Sequence, residues 1–227
     1  MLFPMDATLL LLLPAVLLAM WAQSRISSTF RRFSQVPSSR GIRASEAARR
    51  LLDRFGLRHV AVERVSGSLT DHYDPRSKVL RLSDDVYGST SIAAIGVAAH
   101  EAGHAVQDLQ GYVPLRLRNA IVPVTGIGST LAMPLFFFGL LMRLPSLMDL
   151  GILLFAGILV FHLVTLPVEF DASSRALRLL GETQVLDTSE IAGARKVLNA
   201  AALTYVAATV MSAVQLLRLL LLRGRDE

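Results

Sequence analysis

Four long apolar blocks limit the folds open to this chain more than any other feature of its sequence. Each approaches the roughly 20 apolar residues that a helix needs to cross the hydrocarbon core of a bilayer. The first block is short, and the last carries Gln215 and Arg218 near its end. The blocks run from Ala7 to Ala22, Ile121 to Met142, Leu147 to Val168 and Leu198 to Leu222. Because 52% of the residues are hydrophobic and cluster in these blocks, the sequence predicts a mostly α-helical integral membrane protein with four transmembrane helices.

Charges beside the first block indicate its orientation. Arg25, Arg31 and Arg32 lie just after it, and positively charged residues hold their side of a span in the cytoplasm. Nothing basic precedes the block, and no small-x-small cleavage site follows cleanly before Gln23. We therefore interpret it as a retained anchor rather than a cleaved signal peptide. The N-terminus is then expected outside the cell, and residues 23–118 in the cytoplasm.

The orientation of the last block stays open. Four full spans from an outside N-terminus would leave Arg223 and Arg225 outside, against the positive-inside tendency. The C-terminal helix is therefore expected either to span the membrane, in full or tilted, or to lie at its interface.

The net charge and the absence of cysteine limit the partners and the kinds of site expected for this chain. The net charge of +5 owes much to arginines that flank the spans, which favours contact with anionic lipid headgroups in the bilayer. Basic and aromatic residues are not interleaved as they are in proteins that bind bases, so no nucleic-acid partner is expected. The absence of cysteine excludes disulfides and a thiolate nucleophile.

The part between the first and second spans has the pattern of a small α+β lobe. A Ser/Arg-rich linker is predicted from Gln23 to Arg43, followed by a short amphipathic helix that ends at Gly56. The run from His59 to Val65 alternates like a strand. Two further strands are predicted to form a hairpin around the turn Asp74-Pro75-Arg76-Ser77.

The most specific signal in this lobe is the run from His100 to His104, which spells H-E-A-G-H and so matches H-E-x-x-H. It lies in Ile92 to Val106, a proline-free stretch preceded by the N-cap candidates Ser89-Thr90-Ser91 and therefore predicted to be helical. On a helix the two histidines share one face and can bind one Zn²⁺, while Glu101 can reach a water beside the metal as general base. The alternative is a buried helix whose histidines bond only to their neighbours.

A catalytic zinc normally takes a third protein ligand and leaves its fourth position to water. The candidates outside the motif are His59, His72, His162, Glu169 and Asp171. In the predicted topology the chain crosses the membrane twice between His104 and Glu169. This even number of crossings returns Glu169 to the face that carries the motif, so Glu169 is the predicted third ligand.

These predictions divide the chain into five segments. They are an anchor in residues 1–22, a linker and lobe in 23–118, a transmembrane helical hairpin in 119–168, a third-ligand helix and connection in 169–197, and a transmembrane or interfacial helix in 198–227.

Several consecutive motifs carry a family resemblance. They are Leu69 to Arg76, Val79 to Ser83, Ala98 to Gln107, Gly111 to Leu115 and Pro167 to Ser173. Together they closely resemble the YugP-like family of bacterial membrane zinc metallopeptidases, over a stretch from about Ser66 to Ala207. This family is in turn similar to the HtpX-type membrane gluzincins, whose third ligand is the glutamate of an E-x-x-A-D motif.

The resemblance implies a zincin-like fold and a proteolytic site with one Zn²⁺. It aligns Glu169 with the gluzincin ligand, whereas Ser173 stands where the wider group has an aspartate that steadies a ligand histidine. Asp171 is the residue that could partly replace this aspartate.

Other residues suit both functional and plain structural roles. His72 and Tyr205 are candidates for stabilising a tetrahedral oxyanion, but a hairpin residue and a helix-interface residue would look the same. His162 lies in an apolar span and is interpreted as a neutral imidazole bonded to the backbone. Gly96 and Gly103 are expected to permit close helix packing.

Taken together, the sequence predicts a zinc endopeptidase of the bacterial inner membrane whose active site faces the cytoplasm and acts on polypeptides at or near the membrane. Val79 to Leu82 is expected to be an exposed edge strand that binds extended substrate. Two alternatives remain: a non-catalytic scaffold that uses zinc structurally, and an intramembrane protease of the site-2 type with the motif inside the bilayer.

Overall fold

Long helices dominate the computed structural model, which describes residues 7–224. Residues 1–6 of the predicted anchor and Arg225 lie outside the described residues. A 3₁₀-helix of two turns, Ala7–Leu12, leads into the first α-helix. The helices are α1 Leu13–Ser34, α2 Ala44–Arg54, α3 Asp84–Tyr87, α4 Ile92–Leu109, α5 Val113–Met142, α6 Pro145–Glu182 and α7 Thr188–Arg223, and the strands are β1 Ala61–Val65, β2 His72–Asp74 and β3 Val79–Ser83.

Within the described part of the chain, four helical segments are long and apolar enough to cross a membrane. They are Thr8–Ser34, α5, α6 and α7; each contains one of the predicted blocks, except that the first segment begins one residue after Ala7. The prediction of four membrane-spanning helices is therefore confirmed at the level of length and composition. The helices also extend beyond the apolar blocks, because adding a residue to an existing helix needs no new nucleation.

This extension overturns part of the predicted linker. The helix α1 continues through Gln23 and ends only at Ser34, so the first half of the segment from Gln23 to Arg43 is helical. The sequence there is polar but contains neither proline nor glycine, and nothing in it stops a helix that the preceding apolar block has already formed.

The structure divides into two compact units. The membrane unit consists of Met1–Gln23, Arg116–Pro167 and Leu203–Glu227, insofar as these are described, and the lobe unit consists of Ser24–Leu115 and Val168–Ala202. Helices α1, α5, α6 and α7 each contribute residues to both units.

Contacts inside the membrane unit bear on the open question of the last helix. Arg223, at the end of α7, pairs with Asp149, in the first turns of α6, at 2.9 Å. Arg218 donates a hydrogen bond to Thr8 Oγ1 at 3.2 Å. The end of α7 thus reaches the beginnings of both α6 and the first span, which favours a full span over an interfacial helix.

The lobe unit contains a three-stranded sheet in the order β1-β3-β2. β1 pairs with β3 in parallel, with Ala61 opposite Val79, and β2 pairs with β3 antiparallel, with Tyr73 opposite Leu80. The predicted hairpin around Asp74-Pro75-Arg76-Ser77 is confirmed. The expectation that Val79 to Leu82 forms an exposed edge is wrong, because β1 and β2 occupy both edges of β3.

Helix α4 lies in the core of the lobe. The Ser91 hydroxyl caps its start by accepting a hydrogen bond from the Ala94 amide at 3.2 Å, which confirms the predicted cap. The helix then continues to Leu109. The core around it includes Leu51 and Leu52 of α2 and the fully buried Leu80 of β3. A motif on this helix is therefore held by packing on several sides.

Candidate metal centre

The two motif histidines lie side by side on α4. His100 and His104 are one helical turn apart, and their ring centroids are separated by 4.7 Å with the rings nearly perpendicular. His104 and the intervening Glu101 are each 8% exposed. The i,i+4 spacing thus places both imidazoles on one face of a buried helix, as the sequence predicted.

Glu169 of α6 completes a cluster with these histidines. The ligand atoms of His100, His104 and Glu169 all lie within 4.8 Å of one another. The carboxylate is 3.2 Å from His100 Nε2 and 3.8 Å from His104 Nε2, and Glu169 is only 2% exposed. Two imidazole nitrogens and one carboxylate are a donor set that Zn²⁺ takes in proteins, so these three residues could hold one metal ion.

A glycine permits this close approach of α4 and α6. A Cβ atom on Gly103 would lie 2.6 Å from the backbone oxygen of Ala172, a distance that no real Cβ atom tolerates. The equivalent position at Gly96 would be 3.4 Å from the Ala194 Cβ, close to ordinary contact. Gly103 therefore permits the close packing of α4 on α6 that brings Glu169 to the histidines, and Gly96 permits the packing of α4 on α7.

The second ring nitrogen of each histidine has a partner. His100 Nδ1 lies 3.1 Å from Ser173 Oγ, so the serine that replaces the aspartate of the wider group still contacts a candidate ligand. His104 Nδ1 lies 3.0 Å from Gln107 Oε1. A side-chain amide oxygen only accepts, so this contact places the His104 proton on Nδ1 and leaves Nε2 directed at the cluster.

Gln107 is a residue that the sequence analysis missed. It is fully buried, and its amide donates to the Val168 backbone oxygen at 2.8 Å and to Asp171 at 2.7 Å. Asp171, a candidate for the role of the missing aspartate, therefore reaches His104 only through Gln107, and it also pairs with Arg175. The available signal was its place one helical turn after His104, where a polar residue in a buried helix needs partners.

Glu101 is held by the neighbouring strand β2. The Tyr73 amide donates to Glu101 Oε2 at 3.0 Å, and the Tyr73 hydroxyl donates to Asp108 at 2.7 Å. Asp108 also pairs with Lys78 at 2.5 Å. Burial and the adjacent Asp108 raise the pKa of Tyr73 well above its usual range. The two hydrogen bonds of Tyr73 hold β2 against α4.

The electrostatics of the cluster favour positive charge. Burial by itself lowers the pKa of His104, but the hydrogen bond with Glu169 and the charges of Glu101 and Glu169 outweigh it and raise the pKa. The same concentration of negative charge that favours a proton here also favours a divalent cation.

The remaining candidates are distributed over both units. His72 is exposed on β2, with Nδ1 2.8 Å from the Thr70 backbone oxygen and Nε2 3.5 Å from Arg81. His162 belongs to the membrane unit, where its ring meets Phe161 edge-on. Tyr205 also belongs to the membrane unit, and its predicted role in stabilising an oxyanion stays a prediction.

Comparison with known proteins identifies the family of this chain. The model of the family described as "Putative neutral zinc metallopeptidase" matches residues 8–224. The chain is also similar to the "Putative membrane protease YugP" of Bacillus subtilis (strain 168), with 48% identity over 219 residues that cover 96% of this chain and 97% of that relative. No solved structure matches the chain.

Proposed function

Because the chain belongs to this neutral zinc metallopeptidase family, we propose that it is a membrane-bound, zinc-dependent endopeptidase with a zincin-like lobe of the gluzincin type. His100, His104 and Glu169 are the proposed metal ligands, and Glu101 is the proposed general base. The observation that carries the proposal is the buried cluster of two imidazoles and one carboxylate, with a second carboxylate on the adjacent helical position.

Each group in the cluster has a distinct part in the proposed hydrolysis. A zinc ion bound by the three ligands supplies a Lewis acid that activates water at neutral pH and polarises the scissile carbonyl. Glu101 accepts the proton of the attacking water and later donates it to the leaving amine. The hydrogen bond from the Tyr73 amide at 3.0 Å keeps the Glu101 carboxylate in one orientation for both proton transfers.

The partners of His100 and His104 support the ligand assignment. Ser173 and Gln107 occupy the Nδ1 atoms, so both Nε2 atoms remain for the metal. Such outer partners hold a ligand imidazole in one tautomer and one orientation. The chain thus provides two polar partners for the ligands without the aspartate expected at residue 173.

The number of ligands favours an enzyme over a structural zinc site. Among the described residues, the cluster that could bind a metal has three members. Structural zinc sites generally use four protein ligands, whereas catalytic sites use three and leave one position to water. A purely structural role for the metal would therefore need a further ligand.

We further propose that the active site faces the cytoplasm at the inner membrane. The four candidate spans and the membrane-protease relative support a multi-pass membrane protein. The arginines after the first span support the cytoplasmic side for the lobe unit. Its proposed substrates are polypeptides in or near the membrane, with the bilayer as its other partner and no nucleic acid.

Purified protein in detergent tests this function directly. We expect about one zinc per chain and cleavage of a labelled, unfolded polypeptide that stops on addition of a chelator and returns with zinc. The matched Glu101→Gln variant should bind zinc but cleave at the background rate. Cleavage that persists in this variant, or that the chelator leaves unchanged, would show that the activity arises elsewhere.

A further inference from the structure

A surface groove between α6 and α7 of the lobe unit contains polar groups that the proposed mechanism does not use. Its volume is about 360 Å³. Two arginines and an asparagine line it, together with apolar and small residues. Among the lining residues are Phe170, Ser173, Leu177, Arg178, Arg195 and Asn199. We call it the arginine groove.

Neither arginine is held by a close ion pair within the described residues. Arg195 makes no ion pair within residues 7–224, and Arg178 has only the exposed Glu182, at 3.8 Å. Glu190, in the first turn of α7, instead accepts hydrogen bonds from the Asp187 and Ser39 amides. Two guanidinium groups thus face one groove with unused donors, an arrangement suited to a carboxylate.

Ser173 connects the arginine groove to the candidate metal centre. It lines the groove, and its hydroxyl lies 3.1 Å from His100 Nδ1. Arg178 follows Ser173 by five residues, which is a rise of about 7–8 Å along α6. An extended peptide advances about 3.3 Å per residue. A peptide residue three to five positions from the scissile bond lies about 10–16 Å from it along an extended chain, which is longer than the rise from Ser173 to Arg178.

We propose that the arginine groove is a substrate subsite that binds an acidic side chain about three to five positions from the scissile bond. This inference rests on the function proposed above and adds a substrate preference to it. Phe170, which is 51% exposed beside the arginines, supplies an apolar surface for the neighbouring part of the peptide. The occupant is an acidic polypeptide segment rather than a lipid headgroup, because the groove adjoins the candidate metal centre through Ser173.

A pair of peptides tests the groove by binding, independently of cleavage. We would use a short unstructured fluorescent peptide with one central aspartate, its asparagine twin, and the full chain in neutral detergent with Glu101→Gln as background. The aspartate peptide should bind about tenfold more tightly at low salt, the effect expected of a charge-assisted contact with two arginines, and the ratio should shrink at high salt. Adding Arg178→Gln and Arg195→Gln together should bring the ratio close to one.

The control is Arg50→Gln, which removes an exposed charge from α2 and should leave the binding ratio unchanged. The proposal is overturned if the background protein binds both peptides equally, or if the double arginine variant keeps the full ratio. It is also overturned if the double variant loses binding only to vesicles of phosphatidylglycerol, because the groove would then bind lipid. A binding preference without chelator-sensitive cleavage by the unsubstituted chain would contradict the proposed peptidase function and leave the groove assignment intact.

Discussion

Replacing Gln107 with leucine should weaken zinc binding although Gln107 is not itself a ligand. Leucine has a similar size and keeps the site packed, but it removes three hydrogen bonds, to His104, Val168 and Asp171. Asp171 retains Arg175 as a partner. His104 Nδ1 therefore loses the most, because it is buried and its acceptor is gone.

The size of the effect follows from this orphaned N–H. Without metal, His104 can relieve the loss by changing tautomer or turning its ring. Metal binding requires a free Nε2 and returns the proton to the unpartnered Nδ1. A buried donor without an acceptor costs about 1–3 kcal/mol, and about 1.4 kcal/mol is a factor of ten. We expect the zinc dissociation constant of Gln107→Leu to rise about 10–100-fold, in the range seen for loss of such outer partners.

Competition with a chelator of known zinc affinity measures this change, and circular dichroism confirms that the helices remain. The matched control is Gln110→Leu, which removes an amide from the residue just after the same helix, where it contacts Arg175 rather than His104. Combining Gln107→Glu with Asp171→Asn should restore part of the affinity, because glutamate accepts from His104 and asparagine donates to the glutamate. If Gln107→Leu binds zinc as tightly as the unsubstituted chain, Gln107 does not orient His104 and the argument fails.

Three further predictions separate the roles of other residues. Glu169→Ala should lose zinc together with activity, whereas Glu101→Gln should keep near-stoichiometric zinc and lose activity about 100-fold or more. Metal analysis beside a cleavage assay distinguishes the two variants, and a fully zinc-loaded Glu169→Ala would refute the assignment of Glu169 as a ligand. Gly103→Ala should lower zinc affinity at unchanged ligand identity, because its Cβ would push α6 from α4; normal affinity would mean that the helices adjust without moving Glu169. In intact cells, an impermeant thiol reagent should label Ser146→Cys but not Ser34→Cys in this cysteine-free chain, and the reverse pattern would invert the topology.

Much of the fold was predictable because it depends on local signals. The four apolar blocks identify the long helices, and the turn between β2 and β3 identifies the hairpin. The ends of these elements were less predictable. The helix α1 continues for 12 residues past Ala22. The polar residues there contain no helix breaker, and extending the helix already formed by the apolar block needs no new nucleation.

Strand order was the main error, and its cause is physical. The alternation in a strand reports which face is buried, but it does not identify the strand's neighbours. Leu80 and Leu82 are both fully buried, which is compatible with a central or an edge position. β3 is central because β1, which ends 14 positions before β3 begins, pairs with it in parallel, and this pairing leaves no mark in the sequence of β3 itself.

In the candidate centre too, residues on one helix were predictable from their spacing, whereas residues far apart in the sequence were not. His100, Glu101 and His104 follow from spacing on one helix, whereas Glu169 is 65 residues beyond His104 and needed an argument from topology. The roles of Gln107 and Ser173 depend on how closely α4 and α6 approach, which the sequence expresses only through the absence of a side chain at residue 103. Because a Cβ at that position would lie 2.6 Å from the backbone of α6, the glycine of H-E-A-G-H permits the approach that brings Glu169 to the two histidines. The second unspecified position of H-E-x-x-H, Gly103, is therefore where this chain encodes the close approach of α6 to α4.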